Sequence, residues 1–315
     1  MTCAQGARSK FYVKDATGDI TWTAGTVYGY EFLAESMKRI GTIVHPNGIR
    51  GTRSRTSERA RLGPYRVMGT ILLNIDPLML DTWLPRMLGT AESTDSFVLS
   101  ETLPGFGILF DRVTTNFEYR DCYVNRWVLR GQANQYGSEP QPLQLALEII
   151  GKTQETGVTG PTEVDVSTGL LPTSTNTAPF IFEDSVLRLN AISRPLLAFE
   201  LSGSNFLQVR FTNSLTATDI CPQDREISLR VTVPFTSDVT ALLESISGGI
   251  DIAGYTGSLA ITNSTISKAL TFTFGNVKIP NNDPSVRGKQ EITMDLDLQI
   301  YRISTTLELA TTSTS

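Results

Sequence analysis

Val67, Ile71, Leu73 and Ile75 face one way along a single extended run, while Arg66, Thr70 and Asn74 face the other. A two-residue period of this kind marks a strand buried on one side only. The same alternation returns, position for position, at Ile227, Leu229, Val231, Val233 and Phe235. That recurrence constrains the fold more than any other feature, because the surroundings of the two strands recur as well. Tyr30–Ser36 precedes the first strand and Leu196–Ser202 the second, and each strand is followed by a short helical pattern and then by an alternating hairpin.

Asp76-Pro77 predicts a helix start, with Asp at the N-cap and Pro at the first helical position. Leu78, Leu80, Trp83, Leu84, Met87 and Leu88 supply the apolar face and Gly89 the stop, but Pro85 predicts a kink or an early end. The second helix is expected at Asp238–Ile246, with Ser237 as cap and Gly248-Gly249 as stop. Further strands are expected near 97–99, 108–110 and 117–119. Cys122–Arg130 should pair with Leu143–Ile150, and Thr271–Ile279 with Gln290–Arg302. Residues 1–27 read as an arm or a peripheral hairpin, and the Thr/Gly/Pro-rich stretch 151–178 as a linker. The expected fold is therefore mainly β: two tandem β-sandwiches or barrels, each with one short α-helix, over residues 1–150 and 179–315. Such units leave sheet edges that a neighbouring subunit can cover.

Little in the chain suggests chemistry. Cys3, Cys122 and Cys221 are odd in number and widely spaced, against a disulfide framework or a zinc site. His45 is the one histidine, which removes Ser/His/Asp catalysis and a histidine metal site from consideration. No GxxxxGK[ST] or GxGxxG run is present. Asp295 and Asp297, with Glu291 nearby, lie on the polar side of a strand, where a solvated acidic stripe is the expectation rather than a metal site. No cofactor and no enzyme activity is expected. The longest apolar runs fall short of a membrane span and the N-terminus lacks a signal-peptide core, so use without passage through the secretory route is expected.

Gly48–Arg66 is the exception. It carries Arg50, Arg53, Arg55, Arg59, Arg61 and Arg66 against one acid, Glu58, and its Gly and Pro residues predict a long loop. Three readings stand: a nucleic-acid patch, short of stacking aromatics apart from Tyr65; a solvated loop; or a contact surface whose guanidinium groups pair with carboxylates. Charge distribution suits the third. Residues 1–160 hold 17 Lys+Arg and 16 Asp+Glu, whereas residues 161–315 hold 10 and 16, so the loop sits on an otherwise acidic molecule.

The order of these motifs resembles that of the tail tube proteins of long-tailed bacteriophages. Tyr30–Ser36, Gly48-Ile49-Arg50, Thr52–Arg55 and Glu58–Arg61 carry the resemblance, with Leu84–Gly89 and the Cys122-Tyr123-Val124 strand. It covers 28–150 well and 180–303 more weakly. The resemblance implies β-sandwich domains whose inner sheets join into a closed barrel, in rings of six domains stacked into a tube. For a duplicated chain it implies three copies per ring. It makes Arg50, Arg53, Arg55, Arg59 and Arg61 the inter-ring stacking residues. Alternation in the inner-barrel strands then makes Glu148, Glu291, Asp295 and Asp297 the candidates to line the lumen. Double-stranded DNA would pass without sequence-specific binding. Tape measure, terminator and distal tail proteins would be partners, and the virion tail, assembled in the host cytoplasm, the location. A distal tail or baseplate hub ring protein of the same fold, and a carbohydrate-binding adhesin module, are the alternatives.

Overall fold

The computed structural model describes residues 6–22, 27–45, 48, 54, 57–89, 96–134, 139–161, 178–237, 239, 255–279, 292–301 and 309–314. Its strands in chain order begin with β1 (Lys10–Lys14), β2 (Tyr28–Tyr30), β3 (Ala34–Glu35), β4 (Lys38–Val44) and β5 (Arg61–Asn74). After helix α1 (Pro77–Leu88) come β6 (Ser96–Val98), β7 (Phe106–Asp111), β8 (Asn116–Gln132), β9 (Gln144–Gly151) and β10 (Thr153–Thr156). Then follow β11 (Ser185–Leu189), β12 (Ile192–Arg194), β13 (Ala198–Ser204), β14 (Gln208–Arg210), β15 (Asp219–Cys221) and β16 (Glu226–Pro234). The last four are β17 (Tyr255–Asn263), β18 (Lys268–Lys278), β19 (Thr293–Tyr301) and β20 (Leu309–Thr314). The protein is mainly β, as its alternation predicts.

One long strand organises the first half. The N-terminal part of β8 pairs with β7 and β10, and its C-terminal part with β9. Asp121, at φ 50°, marks the turn from one sheet to the other. β9 continues to β5, with Ile71 opposite Leu147 and Thr70 opposite Glu148, and β5 takes β3 and then β4 on its far side. On the other sheet β1 lies between β2 and β7. Phe11, Val67, Leu73, Phe110, Trp127 and Leu147 are buried between these layers. Burial on this scale contributes about 1.5–3 kcal/mol per large apolar side chain.

The same ladder recurs in residues 185–314. β11 pairs with β12 and β17, β17 with β18, and β18 with β20 and β19. β19 pairs with β16, and β16 with β13. Register agrees closely: Ile71↔Leu147 matches Val231↔Leu296, and Ala34↔Leu72 matches Ala198↔Thr232. The irregularity after Phe106↔Cys122 has its counterpart after Tyr255↔Val277. The two halves join edge to edge, because β13 also pairs with β8, from Ala198↔Gln132 to Ser204↔Arg126. Gly203 makes this close approach possible: a Cβ there would stand 2.5 Å from Trp127 Nε1.

Several expectations are corrected. α1 does not end early at Pro85: it runs on to Leu88 and is closed, as expected, by Gly89 at φ +90°. Burial of Leu80, Trp83, Leu84, Met87 and Leu88 outweighs the roughly 3 kcal/mol that an internal proline costs. Lys10–Lys14 is no peripheral arm but a strand held on both sides, with Phe11, Tyr12 and Val13 buried. Arg61 and Arg66 belong to β5, which forms a long hairpin with β4, a strand that the sequence did not reveal. Tyr30–Ser36 and Leu196–Ser202 correspond with a two-residue slip, since Ala34 matches Ala198. Thr153–Thr156, within the stretch read as linker, is strand β10. The closing hairpin of the second half pairs only from Asn276↔Tyr301 to Lys278↔Gln299. The second helix, 238–246, lies outside the described residues apart from Val239.

Candidate assembly surfaces

Strand β4 of the β4–β5 hairpin is exposed along its whole length, including Ile40, Ile43 and Val44, and so is Leu62 opposite Ile43. Its root is fixed by Arg112, which donates through Nε and Nη2 to the two Glu35 carboxylate oxygens at 2.9 and 3.0 Å, and from Nη2 to the Met37 carbonyl. Arg39 lies over the Tyr65 ring at 3.6 Å, a cation–π contact that stiffens the middle of the hairpin. Arg59 is exposed in the turn Ser57–Arg59, and Arg61 is exposed at the first position of β5. Arg50, Arg53 and Arg55 lie outside the described residues.

The edge of β3 and β4 away from β5 meets no strand among the described residues, whereas β13, its counterpart, is covered by β8. Unpaired N–H and C=O groups in a row are a template for another strand.

The second surface is the polar face of the joined sheet β5–β9–β8–β13–β16–β19. Side chains there alternate with the buried set, and the registers align Thr70, Glu148, Arg126 and Ser204 in one row. Another row runs through Asn74, Gln144, Arg130, Glu200, Arg230 and Asp297. Glu148 and Asp297, chosen separately from sequence, occupy equivalent positions of the two ladders, opposite Thr70 and Arg230. Glu148 accepts a hydrogen bond from Asn125 Nδ2 at 2.8 Å. Asp297 pairs with Arg230 at 2.6 Å, and that hydrogen bond holds the guanidinium above its usual range. Thr232 Oγ1 donates to Asp295 at 2.7 Å. Glu291 lies outside the described residues.

The face is thus of mixed charge rather than an uninterrupted acidic stripe. Within their own strands nothing sets Arg126, Arg130, Glu200 and Arg230 beside the acidic candidates; the signal that places them on this face is their alternation with buried Trp127, Leu129, Phe199 and Leu229. A cleft of about 650 Å³ opens on this face over the β8–β13 junction, between Arg130, Gln144, Glu200 and Arg230.

Among the described residues no group of three or more His, Cys, Asp or Glu could hold a metal. No helix among the described residues is long and apolar enough to cross a membrane. Cys122 is buried, which raises its thiol far above the ordinary range, so it is an inert packing group.

An antiparallel β architecture with a strand edge unpaired among the described residues and a broad polar face suits a structural, self-associating protein. A family model described as phage tail tube protein matches residues 6–304, and the chain belongs to that family. No individual curated protein matches it. Membership makes it a structural component of the virion tail that self-associates and meets other tail proteins.

Proposed function

We propose that the chain holds two tail-tube units, the first extending through β10 and the second over 179–315, and that three copies close a ring of six units. The β8–β13 junction carries this reading. It joins one unit to the next by strand addition at an edge whose counterpart, β3–β4, is unpaired among the described residues. Repeating the junction between copies is a heterologous contact, and such contacts close into rings. Closure removes the edges.

In this reading the polar sheet face, with Glu148, Glu291, Asp295 and Asp297, lines the bore through which double-stranded DNA is ejected. Paired charges such as Arg230–Asp297 offer phosphates little to hold. The arginine loop, through Arg50, Arg53, Arg55, Arg59 and Arg61, would hold the adjacent ring. Tape measure, terminator and distal tail proteins would occupy the tube's bore and ends.

Cryo-electron microscopy of purified, assembled protein tests this. Tubes of stacked rings with three chains each are expected. Six or two chains per ring would refute the subunit count, and lone rings that never stack would favour a distal tail protein.

A further inference from the structure

We propose that the β3–β4 edge is a strand-addition site for a second copy, held shut in the free chain by Glu35, Arg112 and Tyr119. The proposal rests on the ring reading above and adds a step on which closure depends.

Backbone groups along an antiparallel strand point alternately to its two neighbours. Ser36 N–H donates to the Thr70 carbonyl at 2.9 Å, which turns the even positions of this edge towards β5. The odd positions, Met37 among them, face away from β5. In the second half β13 follows the same rule and shows such an edge filled. The Leu197 carbonyl accepts from Ala133 N–H, and Asn205 N–H donates to the Asn125 carbonyl, so Leu201 between them bonds to Leu129 of β8. Met37 is the counterpart of Leu201, since Ala34 matches Ala198.

At Met37 the two corresponding groups are already taken. Its N–H donates to Glu35 Oε2 at 2.8 Å. Its carbonyl accepts from Arg112 Nη2 and from the Tyr119 hydroxyl, each at 2.9 Å, which fills both lone pairs. Arg112 also donates to both Glu35 oxygens and, at 3.1 Å, to the Tyr119 oxygen, so the three side chains form one closed cap. The Phe117 ring, 4.4 Å from the guanidinium carbon, backs Arg112. An arriving strand would find no backbone group of Met37 to pair with until the cap opened.

The second half, whose edge is covered, lacks all three groups. Phe199 stands in the place of Glu35. Phe274 stands in the place of Tyr119, since Gly257↔Phe274 matches Ile108↔Tyr119. The turn 264–267 between β17 and β18, counterpart of the turn that carries Arg112, reads Ser-Thr-Ile-Ser. Polar capping thus accompanies the unpaired edge and apolar packing the paired one. Side chains that satisfy an exposed edge protect it from indiscriminate pairing. Ring closure then requires the arriving strand to replace the cap, which slows association between free chains.

The lag and threshold concentration of tube formation test this, read by light scattering with electron microscopy to identify tubes. Glu35→Ala with Arg112→Ala should shorten the lag and lower the threshold by about tenfold, because hydrogen bonds to charged groups no longer have to be broken. Tyr119→Phe, a residue the second half carries at the equivalent place, should shift both in the same direction by less. A cap that merely anchors the hairpin predicts the opposite sign. Slower assembly by variants that circular dichroism shows to be folded, or an unchanged lag, would overturn the proposal. Should the double variant fail to fold, Tyr119→Phe decides alone. Cryo-electron microscopy of unmodified tubes is expected to show Met37 paired with a neighbouring strand and Arg112 withdrawn. A paired edge with the cap intact would overturn the cap and leave the ring reading standing, whereas rings closed through another edge would overturn both.

Discussion

Replacing Gly203 with valine should weaken the seam between the two halves. The new Cβ would lie 2.5 Å from Trp127 Nε1 and Cε2 and 2.6 Å from Cζ2, well inside van der Waals contact. Trp127 is 2% exposed and boxed in, so the indole cannot swing aside without disturbing the core. Overpacking of this kind costs about 1–3 kcal/mol. At about 2–4 °C per kcal/mol for a large domain, the melting temperature should fall by roughly 2–12 °C. Trp127→Leu alone should also destabilise, by about 3 kcal/mol or more through the cavity it leaves. The double variant is decisive, since the valine would occupy part of the vacated space. Calorimetric melts of the unassembled chain should show it less destabilised than the sum of the single variants by about 1 kcal/mol or more. Strict additivity would mean that Gly203 and Trp127 do not oppose each other across β8 and β13, and the junction as described would be wrong.

Changing Arg53, Arg55 and Arg59 to Glu should block tube elongation in sedimentation assays while circular dichroism shows a folded chain, and raised salt should weaken elongation of the unmodified protein, since exposed charges are screened. Full-length tubes from the triple variant would remove the loop as a stacking element. Asp295→Lys with Asp297→Lys should permit assembly but slow DNA release, measured by fluorescence of ejected DNA, because unpaired cations in the bore hold phosphates. Glu118→Leu should cost roughly 2–3 kcal/mol and shift Trp22 fluorescence. Glu118 is fully buried, accepts from Trp22 Nε1 at 3.0 Å and pairs with Arg120 at 2.8 Å, although Arg120 keeps Asp19 and Glu155 as partners.

What the sequence made legible follows from burial on one face. β5, β9, β16 and β19 alternate because one side of each packs on the core, and all four can be read directly. β4 is exposed on both faces, so Lys38–Val44 lacks the alternation that would announce it. β1 is too short for a period to emerge, and β17 has small or polar residues at alternate positions without strong flanking signals. Pairing of β8 with β13 joins residues far apart in the chain and leaves no local trace; only the matched edges of two ladders reveal it. Among the candidate site residues, Glu148, Asp295 and Asp297 are legible because each occupies the polar phase of an apolar alternation. The arginine partner of Asp297 is not, since Arg230 meets it only once β16 lies beside β19.

The seam between the halves is clasped at one end by Asn205. Its Nδ2 donates to the Val124 carbonyl at 3.0 Å and its N–H to the Asn125 carbonyl, while Asn125 Oδ1 accepts from Leu207 N–H at 2.8 Å. At the corresponding positions of a seam between copies the sequence has Gly41 and Pro280, which have no amide side chain to form this clasp. A closed ring of three copies would therefore have stiff and compliant seams in alternation. Curving such a tube would concentrate strain at the compliant seams, while each chain moved as a rigid stave.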